Sequence, residues 1–116
     1  MKKYVLALAP FDTSMRIIVG TPTEARKWIK TSAYEDTKYD FEVGGALLSC
    51  EEYWPVMFIN SNLTKAQKVQ TFAHECVHVI NHIFDRVGVL YSSGNDEQYA
   101  FMMSYLIRQA QDKKII

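Results

Sequence analysis

The chain has 116 residues and a mass of 13.4 kDa, with 48% apolar and 22% charged residues. That composition excludes disorder, collagen and coiled coil, and residues 1–116 are read as a single domain able to bury about two-thirds of its unfolded surface. Thirteen Lys and Arg balance thirteen Asp and Glu, for a formal net charge of +0, which argues against a nucleic-acid partner while leaving room for a local basic patch.

Tyr4 to Ala9 follows Met-Lys-Lys in the manner of a signal peptide, but its apolar part is too short, and a first β-strand is expected instead. Lys3–Ala9 and Met15–Gly20 are β-rich runs joined by Pro10-Phe-Asp12, a candidate hairpin. Thr21-Pro-Thr-Glu24 reads as a capping box with proline at the first helical position. Ala25, Trp28 and Ile29 would be the buried stripe of that short helix. Thr31 to Glu42 has no period and is expected to be a loop. Val43 to Cys50 contains Gly44-Gly45, which suggests a strand with a close backbone approach. Glu51-Glu52 fits a turn. Pro55–Asn60 is a further strand, and the proline at its start suggests a sheet edge.

Thr64-Lys-Ala-Gln67 is a second capping box. Behind it Val69, Ala73, Cys76, Ile80, Ile83 and Val87 fall within about 40° of one line on a helix. Gly88 suits the position just past that helix. Tyr91–Gly94 is expected to be a loop, and Asn95 or Asp96 to cap a last helix running to about Lys113. Early strands followed by two long helices predict an α+β fold. Its small, mostly antiparallel sheet of about four strands would pack on the long helix and the C-terminal helix. Cys50 and Cys76 make no disulfide framework and are read as reduced thiols of a cytoplasmic protein. No apolar run is long enough for a membrane span. Tyr34, Tyr39, Phe41, Tyr53 and Trp54 are read as core and rim packing.

His74-Glu75-Cys76-Val77-His78 is an HExxH motif inside the long helix. Residues four apart share a helix face, so both imidazoles can reach one zinc ion. Glu75 is then the general base acting on metal-bound water. All three histidines, His74, His78 and His82, fall on a stripe opposite the expected core stripe. Two ligands do not complete a catalytic zinc site. A third histidine with metzincin spacing is missing, and Asn81 stands where that class needs glycine. A carboxylate from the following helix fits better: Glu97, or less well Asp96. Cys76 points to the core and is not a ligand. His82 and Asp85 are candidates to support the ligands from behind.

Phe58-Ile-Asn-Ser-Asn-Leu63, then Phe72-Ala-His-Glu-Cys-Val-His-Val-Ile-Asn-His82, resembles the core of the ImmA/IrrE-type metallopeptidases. Glu97 and Phe101 match the glutamate and phenylalanine of that family's next helix. The resemblance covers roughly residues 56–107. It implies a zincin-like fold and a zinc site of His74, His78 and Glu97. Val77 replaces the usual glycine before the second histidine, and Glu97-Gln-Tyr replaces Glu-Ala-Asn. Such a compact, stand-alone form suggests a phage or mobile element.

Two functions compete. One is a zinc metallopeptidase acting on a protein or peptide, with the strand bearing Val56, Phe58 and Asn60 holding the substrate by strand addition. The other is a non-hydrolytic binding module that keeps the fold. A purely structural site has no use for Glu75, which favours the peptidase. Tyr91, Tyr99, Tyr105 and Arg108 are candidates to stabilise the oxyanion.

Overall fold

The computed structural model describes residues 1–9, 11, 13–34, 39–48, 54–90 and 92–116. Four strands and three helices follow one another as β1 (Lys2–Ala7), β2 (Ser14–Gly20), α1 (Pro22–Lys30), β3 (Gly45–Leu48), β4 (Val56–Asn60), α2 (Lys65–Arg86) and α3 (Asp96–Asp112). The sheet order is β1-β2-β4-β3. β1 and β3 pair antiparallel with their neighbours, and β2 runs parallel to β4. The fold is therefore α+β, with two of three strand pairings antiparallel. No described helix is long and apolar enough to cross a membrane.

Alternation along the strands divides the core. Leu6, Ile17, Met57 and Ile59 face α2 and α3. Ile18, Val56, Phe58 and Leu48 face the other way, against Ala25 and Ile29 of α1 and the rings of Tyr34 and Phe41. Both faces are thus covered, and every residue of β4 is buried.

That placement corrects the reading of Pro55–Asn60 as an edge. β4 is internal, with β2 on one side and β3 on the other. Pro55 precedes the first ladder pair, Arg16 with Val56, so its missing N–H costs the sheet nothing. Val56, Phe58 and Asn60 are buried with both edges taken, so no peptide can add to them.

The helix caps form as the sequence implies. Glu24 and Thr21 exchange both bonds of a capping box, as do Gln67 and Thr64. α2 ends at Arg86 with Val87 as its C-cap, and Gly88 takes the left-handed conformation at φ 75°. The buried face of α2 differs from the expected line. Phe72, Cys76, Val79 and Ile83 form its centre, while Val69 and Val87 are exposed. At about 100° per residue the centre of the face is turned by about 50°, toward Phe72 and Val79, which pack in the core. Cys76 is a buried free thiol whose pKa burial pushes up to about 12, so it is inert. Cys50, the Glu51-Glu52 turn, Tyr53 and Tyr91 lie outside the described residues.

Candidate metal centre

α2 positions the motif by its geometry alone. His74 and His78 lie one turn apart on its exposed side, with ring centroids 5.1 Å apart. Glu75 turns aside from them toward β3, near Gly45, and is 7% exposed. Burial raises the pKa of its carboxyl, and the nearby His78 and His74 pull it part of the way back. A carboxyl held this way is poised to take a proton closer to neutral pH than a free glutamate.

The cleft beside the pair joins α2 to the start of β3. Gly44, Gly45, Gln70, Thr71, His74 and Glu75 line a space of about 260 Å³. Two features hold its wall. Gly45 lies so close to α2 that an added Cβ would sit 2.5 Å from Thr71 Cγ2 and 2.8 Å from the Phe58 carbonyl. Asn60 is buried under the segment before β3. Its backbone N–H donates to the Gly44 carbonyl at 2.8 Å, and its side-chain oxygen accepts from Asn62 N–H at 2.9 Å. The close approach expected at the glycine pair is therefore present, and its partners are Thr71 and β4. From sequence Gln70 is not singled out, and Thr71 is expected only as a polar residue on the histidine face. Their spacing of four and three residues before His74 is the signal that brings them to its face.

α3 reaches the level of the motif but turns Glu97 elsewhere. The Tyr99 hydroxyl donates to the Val77 carbonyl at 3.4 Å, and its ring meets Phe84 edge-on at 5.9 Å. Met102, Leu106 and Ala110 form the buried face of α3. Glu97 lies about 180° from Leu106 on the helix. It is exposed, and it lines a separate hollow of about 510 Å³ with Phe11, Phe84, Val89 and Phe101. Asp96 is also exposed, about 80° from Leu106. Among the described residues no three His, Cys, Asp or Glu side chains are grouped to hold a metal. The imidazole pair thus fits zinc, while the third ligand expected from α3 does not stand beside it.

Asn95 shows how the first turn of α3 is set. It occupies the N-cap position without capping. Its amide instead donates to the Leu90 carbonyl and accepts from Ser92 N–H, which ties the entering loop to itself. His82 is half-buried, and its Nε2 is buried with no hydrogen-bond partner. Burial and the adjacent Arg86 lower its pKa, against the pull of Asp85. Asp85 itself is exposed. Tyr105 stacks on Phe101 at 6.0 Å, and Arg108 is exposed.

No curated protein and no solved structure matches the chain. The Peptidase_M78 family model, described as the IrrE N-terminal-like domain, matches residues 31–104. That span holds β3, β4, α2 and the first half of α3, hence the whole cleft and both histidines. Since it covers more than half of the chain, the protein belongs to the M78 peptidase family of IrrE N-terminal-like domains.

Proposed function

We propose that the protein is a zinc-dependent metallopeptidase that cleaves a peptide bond in a protein or peptide substrate. The observation that carries this reading is a pair of exposed imidazoles, one of them lining a cleft together with a buried carboxylate of raised pKa. His74 and His78 would hold the metal, and Glu97 is the ligand proposed for the third position. Bound zinc would supply a Lewis acid and lower the pKa of a coordinated water. Glu75 would take the proton and later return it to the leaving amine. The substrate would lie against β3, the sheet edge beside His74, as an added strand.

The second reading is a binding module that does not hydrolyse. The turn of Glu97 into a hollow away from the histidines favours it. One experiment separates the two. Wild type should carry about one zinc per chain, as a three-ligand catalytic site requires. The His74→Ala/His78→Ala variant should carry none, and zinc surviving in it would refute the site. Glu75→Gln should keep its zinc, yet cleavage of a peptide library should fall by about two orders of magnitude or more. Equal cleavage by wild type and Glu75→Gln, or none by either, would leave the binding module.

A further inference from the structure

The end of the molecule where β1 and α2 begin and α3 finishes carries a hollow unlike the metal cleft. Lys65, Lys68, Val69, Lys114, Ile115 and Ile116 line a space of about 620 Å³. Lys68, Lys114 and Ile115 also line an adjoining space of about 250 Å³, which Lys2 shares. Four lysines therefore converge on two joined hollows. Glu24 is the one carboxylate side chain among the described lining residues, and the Met1 amino group already holds it at 2.6 Å. Among the described residues no carboxylate pairs with any of these lysines.

Two local preferences are broken to put this charge here. A helix start favours acids, because its free N–H groups carry partial positive charge. The first turn of α2 has no acid and opens with Lys65. Lys114 has φ 58° at the end of α3. Its N–H bonds to the Gln111 carbonyl and that of Ile115 to the Ala110 carbonyl, at 3.0 and 2.8 Å. That is a Schellman turn with lysine at the position where glycine is free of strain.

We propose that this surface docks an acidic polypeptide segment with interspersed aliphatic side chains. Its carboxylates would meet Lys2, Lys65, Lys68 and Lys114. Its apolar side chains would cover the exposed Val69 and the half-buried Ile116. The aliphatic lining favours a polypeptide over a nucleic acid, which is better served by guanidinium forks and aromatic platforms; Tyr4, in the smaller hollow, is the one ring among the described lining residues. The inference is independent of hydrolysis. Lys68 lies six residues, about 9 Å of helix, before His74.

The test is fluorescence anisotropy with a labelled synthetic peptide that alternates glutamate and leucine. Wild type should bind it, and added salt should weaken the complex. Lys65→Glu/Lys68→Glu should weaken binding by about tenfold or more. Lys114→Gly is the sharper variant. It removes the charge but relieves the positive φ, so binding should fall while the thermal midpoint rises. Loss of the surface by misfolding would move both down. Failure of wild type to bind, or unchanged binding in both variants, would overturn the proposal. So would tighter binding of a single-stranded oligonucleotide of equal charge.

Discussion

The sheet has two outer strands, and the chain treats them in opposite ways. β1 is tied at both ends. The Gln109 amide accepts from the Ala7 N–H at 2.8 Å and donates to its carbonyl at 2.9 Å. At the other end the Met1 amino group is held by Glu24. β3 has four residues, and its neighbour is the histidine-bearing helix. A bare strand edge recruits other chains. On the proposed reading, the side-chain amide on Ala7 of β1 would leave β3, beside His74 and Glu75, as the edge for an added peptide.

The largest effect is expected at the β3 edge. Gly45→Ala places a methyl group against the Phe58 carbonyl and Thr71. The carbonyl belongs to the internal strand and cannot move cheaply, so β3 or α2 must shift. Overpacking of this kind should cost about 2–3 kcal/mol, read as a lower urea midpoint. Thr71→Ala in the same chain should restore part of the loss, because it clears the side chain and leaves the carbonyl. Full stability in Gly45→Ala would show that the close contact between β3 and α2 does not set the cleft.

At the β1 edge the expected effect is smaller. Gln109→Ala removes two hydrogen bonds to the backbone of one exposed residue, Ala7, which should cost about 1 kcal/mol. The freed N–H and carbonyl should also promote self-association at high concentration, visible by gel filtration. Peptide cleavage should stay unchanged, since α3 carries this contact far from the motif. Reduced cleavage with unchanged assembly would mean that β1, and not β3, holds the substrate.

The two edges also show what could be read in the sequence. His74, Glu75 and His78 were legible because one helix fixes their relation, and both capping boxes for the same reason. The close approach at Gly45 was legible as a need for glycine, but its partner Thr71 was not. The strand edge was misread because Pro55 looks like an edge signal on its own, whereas pairing is set by residues far away in the chain. The unbroken run Val-Met-Phe-Ile carried the correct signal, since a strand buried on both faces lacks alternation. The bearing of α2 followed from Phe72 and Val79, which the chosen stripe omitted. Glu97 depends on how α3 packs and on a loop tied through Asn95, a relation between two elements that spacing does not encode. Gln109 was invisible for the same reason.

The smallest effect tests the other tie on β1, and it depends on pH. The Met1 amino group, then the Thr21 backbone N–H, lower the Glu24 carboxyl from its ordinary 4.5 to about 2. Half of this arrangement was written in the sequence, as the capping box; the amine was not. Glu24→Gln keeps an oxygen for the Thr21 N–H and loses only the charge. Because the folded pKa lies below the unfolded one, the ion pair stabilises the fold above pH 4.5, and the benefit is lost as pH falls toward 2. Wild type should therefore exceed Glu24→Gln in thermal midpoint by a small, constant margin near neutrality. That margin should narrow below pH 4.5 and close near pH 2, and salt should shrink it because the pair is exposed. Gln109 and Ala7 carry no titrating group, so the deficit of Gln109→Ala should show no such closure over the same range. A Glu24→Gln margin that stays flat down to pH 2 would mean that the amine does not anchor the start of β1, and that Gln109 alone protects this edge.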